Sequence, residues 1–258
     1  MDVTRVGLLV PSSNTTIETE VPDMLLSRAR TTGERYTFHS SRAELLQVDK
    51  DSLDRMVADA DRCVRELSDA HVDVLAYACL VAIMAQGPGA HVEAESRLAK
   101  GAEENGAPAP VVSSAGALIR GIEALGLRRV AIVTPYADTL TEMVAGYIED
   151  CGITVVDTRS LRVTDNRAVA RLDPMTLIDI ARGMDTSTAD GVVLSACVQM
   201  PSLPAIPRAE DELGLPVISA ATATVYEILT ALGRAPVAPD AGALLSGDLV
   251  GSGKPVAP

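Results

Sequence analysis

The chain has 258 residues, of which 47% are hydrophobic, so it can bury a substantial core and is not a disordered protein. Its 22 Lys and Arg residues against 35 Asp and Glu give a net charge of −13, which argues against a nucleic-acid partner, because such binding needs clustered cations. Aromatic residues make up only 2%, which excludes a platform for stacking bases.

Eight apolar runs of strand length recur along the chain, with helical patterns between them. The runs are residues 6–10, 36–40, 72–77 and 110–113 in the first half, and 130–134, 153–156, 191–195 and 216–219 in the second. Several are nearly continuous, as in strands that are covered on both faces. Between them, residues 52–70 carry apolar side chains three or four apart, which predicts an amphipathic helix. Strands that alternate with helices predict a parallel α/β architecture.

The two halves of the chain resemble each other. Each has four predicted strands, and the third runs into a cysteine, Cys79 in the first half and Cys197 in the second. We therefore predict an α/β fold of two pseudo-symmetric, doubly wound lobes, each with a mostly parallel four-stranded sheet and with the active site in the cleft between them. The predicted lobes span residues 1–117, to which the C-terminal segment 224–258 can be added, and residues 118–223. A single larger sheet is the alternative.

Cys79 and Cys197 are the candidate catalytic residues. Ligands bind at the carboxyl ends of strands in open parallel sheets, and two lobes that face each other would direct both thiols into one cleft. A single cysteine at a strand end is commonly inert, but two at matched positions favour a functional pair. Cys63 and Cys151, on a predicted helix and at a helix end, are expected only to pack.

The sequence predicts no metal and no nucleotide cofactor. The cysteines lack C-x-x-C spacing, and His39, His71 and His91 are scattered along the chain. Neither of the glycine-rich motifs that cradle phosphates is present at a strand end.

Uncharged polar residues follow several of the predicted strands. Ser12, Ser13 and Asn14 follow the first strand, and Tyr136 and Asn166 follow strands of the second half. Hydroxyl, amide and backbone N–H groups at helix starts are suited to hold carboxylates. The alternative is that the Ser-Ser-Asn segment only caps the next helix and that Asn166 is an ordinary loop or cap residue.

Five motifs, taken together, carry a resemblance to a known family. They are VPSSNTTIETE at 10–20, YACLVA at 77–82, TPY at 134–136, DN at 165–166 and CVQMPSLP at 197–204. In this order, over residues 5–230, they resemble the maleate cis-trans isomerases of the aspartate/glutamate racemase superfamily. The resemblance implies a cofactor-independent isomerase whose substrate is the small dicarboxylate maleate.

The same resemblance implies the roles of the site residues. Cys79 matches the nucleophile, which adds to the C=C bond and makes it transiently single, and Cys197 matches the partner acid. We expect helix N-terminal donors to lower the pKa of Cys79, and its negative charge to keep Cys197 protonated. The predicted substrate-binding residues are Asn14, Leu80, Val81, Tyr136, Asn166 and Val198.

Two other functions stay open at this point. An amino-acid racemase would use the same two cysteines, although racemases of this superfamily usually follow them with polar residues rather than with Leu80, Val81 and Val198. The related arylmalonate decarboxylases typically keep only one cysteine. A two-lobed module that only binds a dicarboxylate is the non-enzymatic alternative.

The remaining expectations concern the cell and the assembly. Residues 1–5 lack the apolar core of a signal peptide, no run of 18 apolar residues indicates a membrane partner, and four cysteines are too few for a disulfide scaffold. We therefore expect a cytoplasmic protein. The resemblance suggests a homodimer or homotetramer. The segment from Ala235 is rich in Pro, Ala and Gly, and we expect a loosely structured extension there.

Overall fold

A computed structural model describes residues 3–247 of the chain. The described part contains eight strands and ten α-helices. The strands are β1 Val3–Pro11, β2 Arg35–Ala43, β3 Val74–Tyr77, β4 Val111–Ser113, β5 Arg129–Thr134, β6 Thr154–Ser160, β7 Gly191–Ser195 and β8 Val217–Ser219. The helices are α1 Ile17–Thr32, α2 Lys50–Asp69, α3 Leu80–Met84, α4 Ala90–Glu104, α5 Ser114–Ala124, α6 Asp138–Asp150, α7 Asn166–Val169, α8 Thr176–Arg182, α9 Ile206–Leu213 and α10 Ala220–Ala231. All eight predicted strands and the helix predicted at 52–70 are confirmed.

The strands form two four-stranded sheets with the same topology. The strand order is β2-β1-β3-β4 in the first sheet and β6-β5-β7-β8 in the second, and every neighbouring pair is parallel. The alternative of one larger sheet is therefore wrong. The central strands carry nearly continuous buried apolar side chains, as expected for sheets covered by helices on both faces.

The last helix of each half begins with the same kind of cap. The Ser113 hydroxyl accepts a hydrogen bond from the amide of Gly116 at the start of α5, and the Ser219 hydroxyl accepts one from Thr222 at the start of α10. A serine in this position satisfies a backbone donor that has no partner inside the helix. The two helices pack against each other, and α10 also contacts α1, β3 and β4 of the first half.

The expectation of a loose extension after Ala235 is wrong for the part that the structure describes. Arg28 donates hydrogen bonds to the carbonyl oxygens of Ala235 and Val237, at 2.7 and 2.8 Å. Leu244 and Leu245, in a short 3₁₀ helix, are fully buried beside α10 and β8. Burial of these apolar side chains and the satisfied carbonyls hold the segment on the fold, although its composition is typical of a loop. Residues 248–258 lie outside the described residues.

No helix within residues 3–247 combines the length and the apolar character that crossing a bilayer requires.

The fold leads to a prediction about Gly191, at the start of the strand that leads to Cys197. A Cβ atom at this position would lie 2.9 Å from the carbonyl oxygen of Pro216 and 2.6 Å from the Leu127 side chain, so the backbone would have to move. We expect Gly191→Ala to lower the free energy of unfolding by about 1–3 kcal/mol, measured by urea denaturation. The matched control is Gly146→Ala in α6, where a Cβ meets no atom within 4 Å. That variant should gain about 0.4–1 kcal/mol, and equal stabilities of the two variants would contradict the prediction.

Candidate active site

Residues from the carboxyl ends of both sheets line one small cavity. All eight predicted site residues are among its lining. The lining residues are Pro11, Asn14, Leu45, Val48, Ala78, Cys79, Leu80, Val81, Tyr136, Asn166, Cys197, Val198 and Gln199. Within the described part of the chain this lining carries no Asp, Glu, Lys, Arg or His, so the cavity is uncharged apart from any thiolate.

Cys79 and Cys197 occupy equivalent positions on the two sheets. The residue before each cysteine donates a backbone hydrogen bond to the central strand of its sheet, Ala78 to Leu9 at 2.8 Å and Ala196 to Val133 at 2.9 Å. Both cysteines are nearly inaccessible, with 4% and 6% of their surface exposed. The structure thus confirms that the two halves bring one thiol each to a shared site.

Burial is the main influence on both thiols. It raises the pKa of Cys79 to about 12, and the negative charge that Cys197 can carry acts in the same direction. Burial also raises the pKa of Cys197, but the Tyr136 hydroxyl and the backbone amide of Gln199, which lies 3.4 Å from the sulfur, donate toward it and oppose that rise. The amide of Met200 donates to the carbonyl oxygen of Cys197 at 3.2 Å. On Cys79 the only such donor is the amide of Ala82.

The expected lowering of the Cys79 pKa is therefore wrong for this substrate-free structure. We expected helix N-terminal donors to lower the pKa of Cys79, but desolvation outweighs the single amide that faces it. The larger set of donors surrounds Cys197, and these donors favour its ionised form against the desolvation that raises its pKa.

Asn14 both caps the first helix and faces the cavity. Its side-chain oxygen accepts hydrogen bonds from the amides of Thr16 and Ile17, at 2.9 and 3.2 Å, which is the capping role considered above. Its side-chain nitrogen makes one long contact of 3.4 Å with the carbonyl oxygen of Val198. The amide N–H groups of Asn14 are therefore available to a ligand.

Asn166 and Ser13 connect the two halves beside the cavity. The side-chain nitrogen of Asn166 donates to the Ser13 hydroxyl at 2.8 Å, and that hydroxyl donates to the carbonyl oxygen of Leu45 at 2.6 Å. The Ser12 hydroxyl accepts from the amide of Leu45. The serines thus hold the loop after β2 against the cavity and do not cap α1.

Sequence reasoning missed several residues of the lining. Gln199 donates from its side chain to the carbonyl oxygen of Asn166, and its position two residues after Cys197 was a usable signal. Leu45 and Val48 come from the loop after β2, where no polar pattern indicated a site. Pro11 is the last residue of β1, and Ala78 follows β3; the predicted residues Asn14 and Cys79 come shortly after them.

The other cysteines and the histidines lie away from this cavity. Cys63 is buried on α2 and Cys151 is half-buried at the end of α6, as expected for packing residues. His39 lies on β2, His71 follows α2, and His91 is on α4, where its ring Nδ1 atom and the Tyr147 hydroxyl are hydrogen-bonded at 2.6 Å. Within residues 3–247, no three His, Cys, Asp or Glu side chains are grouped so that they could hold a metal ion.

Two parallel sheets that share one uncharged cavity, with a cysteine from each half, define a two-lobed α/β protein, and proteins of known sequence match it closely. The family model described as arylmalonate decarboxylase matches residues 6–245. The maleate isomerase of Geobacillus stearothermophilus is 57% identical over 244 residues, which cover 94% of this chain and 97% of that protein.

Solved structures give the same result. A maleate isomerase from Pseudomonas putida, a cysteine-to-alanine variant with maleate, superposes with a TM-score of 0.94 at 53% identity and covers 96% of this chain and 99% of that one. A cysteine-to-serine variant of the Nocardia farcinica maleate cis-trans isomerase with a covalently bound succinylcysteine intermediate has a TM-score of 0.92 at 45% identity, with 96% and 100% coverage. The chain belongs to the maleate isomerase family.

The donors around Cys197 lead to a prediction for Tyr136→Phe. A hydroxyl that donates to sulfur stabilises the thiolate, so its removal should raise the pKa of Cys197. The measurement is the pH dependence of alkylation by iodoacetamide, followed for the Cys197 peptide by mass spectrometry. The midpoint should move to higher pH. Tyr226→Phe, at a half-buried tyrosine outside the cavity lining, is the control and should leave the midpoint unchanged. A Tyr136→Phe midpoint equal to that of the unmodified protein would disprove this role of the hydroxyl.

Proposed function

We propose that the protein isomerises maleate to fumarate through a covalent adduct on Cys79. The observation that carries the proposal is the presence of two thiols, one from each half of the chain, in the same small cavity. The named activity of the relatives and the succinylcysteine in the Nocardia farcinica structure support it. An uncharged cavity with the apolar side chains of Leu80, Val81 and Val198 suits the flat alkene, and a racemase would need polar partners for an ammonium group.

Two thiols with one proton between them are sufficient for the reaction. The reactive form has the proton on Cys197. The Cys79 thiolate forms a bond to one alkene carbon while the electron pair of the double bond moves to the other, which takes the Cys197 proton. The product is a succinyl adduct on Cys79 and a thiolate on Cys197.

Rotation about the new carbon–carbon single bond moves the two substrate carboxylates to opposite sides of the adduct. The Cys197 thiolate then removes the other hydrogen of that carbon, which rotation has brought to face it, the double bond re-forms, and Cys79 leaves as a thiolate. Atoms and charge balance over this cycle without a further reactant, and on this basis we propose that the enzyme is cofactor-independent.

The environment of Cys197 can respond to the substrate. The donors around Cys197 oppose the rise that burial causes in its pKa. Substrate that draws the Tyr136 hydroxyl away from Cys197 would raise the pKa of that thiol further and favour the form in which Cys197 carries the proton.

The substrate carboxylates need donors, because the cavity lining supplies no cation. We assign them to the side-chain N–H groups of Asn14 and Asn166, to the Tyr136 hydroxyl, and to the backbone amides of Leu80 and Val81 at the start of α3. Preorganised neutral donors stabilise the negative charge that develops on the far carboxylate during attack.

Further assignments belong to the same proposal. We place the lobe boundary between residues 117 and 118, and assign 224–258 to the first lobe; the packing of α10 on β3 and β4 supports this. We further propose a cytoplasmic enzyme that forms a homodimer or homotetramer and uses neither a nucleic-acid nor a membrane partner.

The direct test is proton NMR of maleate with the purified protein under reducing conditions. We expect fumarate to accumulate, and Cys79→Ala to abolish turnover because no adduct can form. With Cys197→Ser, a weak acid replaces the thiol, and mass spectrometry should find the mass of one maleic acid added to the Cys79 peptide. Cys63→Ala, at the buried packing cysteine, is the control for loss of a thiol.

Absence of fumarate with the reduced protein would overturn the maleate reaction. Aspartate and glutamate in D₂O would then test the racemase alternative, because exchange of the α-proton reports on that chemistry. Binding of maleate without conversion by the unmodified protein would identify a binding module instead of an enzyme.

The net charge leads to a second prediction. A chain with a net charge of −13 repels a dianion, so added salt should raise kcat/KM for maleate as it screens the repulsion. Initial rates between low ionic strength and about 0.15 M, where the Debye length is about 8 Å, measure the effect. We expect kcat to stay constant, because the cavity is closed to the ionic atmosphere. A fall in kcat/KM would contradict the prediction.

A further inference from the structure

Glu20, on the first helix, is a buried carboxylate that the mechanism above does not use. Only 5% of its surface is exposed, and none of the ion pairs found among the described residues includes it. Its Oε1 atom accepts hydrogen bonds from the amides of Ser202 and Leu203, at 2.6 and 2.7 Å. The Ser202 hydroxyl reaches its Oε2 atom at 3.4 Å. All three donors belong to the second half of the chain.

These donors lie at the far end of the segment that carries Cys197. We call residues 197–203 the Cys197 loop. At its near end the loop wraps the sulfur, because the amide of Gln199 donates to Cys197 Sγ at 3.4 Å. The Ser195 hydroxyl donates to the carbonyl oxygens of Cys197 and Met200, which fixes this turn from the strand side.

Glu20 is the strongest of three contacts between the start of α1 and the Cys197 loop. The Thr16 hydroxyl donates to the carbonyl oxygen of Gln199 at 2.7 Å, and Asn14 makes its long contact with Val198. The loop is thus held at its near end by neutral groups and at its far end by a carboxylate.

A carboxylate at this position is costly, which argues for a role. Burial raises the pKa of Glu20 above its ordinary value, against the hydrogen bonds from Ser202 and Leu203. Backbone amides compensate a buried carboxylate only if they point at it, so the charge selects one conformation of the loop end. Both backbone amides share the Oε1 atom, so a side chain of the same length without an oxygen there would leave them without an acceptor.

We propose that Glu20 is a positioning residue for Cys197: it holds the far end of the Cys197 loop so that the amide of Gln199 faces the thiol sulfur. The inference deepens the proposed function and rests on it for its effect on turnover. Its effect on the thiol does not depend on the substrate.

The sign of one measurement separates positioning from simple charge. If Glu20 acts only as a nearby negative charge, its removal lowers the pKa of Cys197. If it positions the loop, its removal lets the amide of Gln199 move away from the sulfur, and the pKa of Cys197 rises. The two roles therefore shift the titration of Cys197 in opposite directions.

The experiment compares the unmodified protein with Glu20→Met and Asp23→Asn, all as full chains. Methionine has a similar length but no acceptor oxygen for the two amides. Asp23 is exposed one turn further along the same helix, so it controls for loss of a carboxylate from α1. Iodoacetamide alkylation of the Cys197 peptide over a range of pH gives the thiol midpoint without substrate. Initial rates with maleate give kcat and KM.

We expect Glu20→Met to move the Cys197 midpoint to higher pH and to lower kcat by about 10–100-fold with little change in KM, because a displaced acid slows the chemical step. Asp23→Asn should match the unmodified protein. An unchanged or lowered midpoint in Glu20→Met overturns the proposal, as does an equal shift in Asp23→Asn.

Two further results keep the test decisive. If Glu20→Met does not fold, Ser202→Ala removes only the longest of the three hydrogen bonds and should give a smaller shift in the same direction; no shift overturns the proposal. If the unmodified protein does not convert maleate, the proposed function fails, but the alkylation midpoints still decide whether Glu20 positions Cys197.

Discussion

Two thiols buried in one uncharged cavity are the constraint on which the rest of the structure depends. Desolvation raises the pKa of both thiols, and a charge on one sulfur disfavours a charge on the other, so two thiolates are more costly than one. Neutral donors oppose this cost: the Tyr136 hydroxyl and the Gln199 amide lie at Cys197, and the Ala82 amide lies at Cys79. A lysine or arginine in the cavity would stabilise both thiolates and remove the acid that the reaction needs.

The two-lobed architecture follows from the geometry of that chemistry. A thiol that attacks an alkene and a thiol that delivers a proton must reach the substrate from different directions. The carboxyl edge of one parallel sheet presents its side chains in a row, whereas two sheets with the same topology each present one cysteine to a common space. Hydrogen bonds join residues 14–20 of the first half to the Cys197 loop of the second. These contacts fix the position of one half against the other, so the distance between the two sulfurs depends on them.

The features that the sequence predicts well are local. Continuous apolar runs identified all eight strands, and the matched positions of Cys79 and Cys197 identified the site, because strand ends of a parallel sheet meet at one edge. Leu45 and Val48 escaped because their loop reaches the cavity only through tertiary contacts with Ser12 and Ser13. The sequence also did not predict which thiol has more hydrogen-bond donors, because burial and the Tyr136 hydroxyl depend on residues that are distant in the chain. The ordered segment after Ala235 escaped because Arg28, more than 200 positions earlier, supplies its donors.

The packing of α10 has a consequence for how the protein is made. This helix contacts α1, β3 and β4, although it is separated from them by the whole second sheet in sequence. A ribosome therefore releases the complete first sheet well before the helix that covers it exists, and part of its apolar surface is exposed during synthesis. Contacts of such long sequence separation slow folding and leave that surface open to aggregation or chaperone binding.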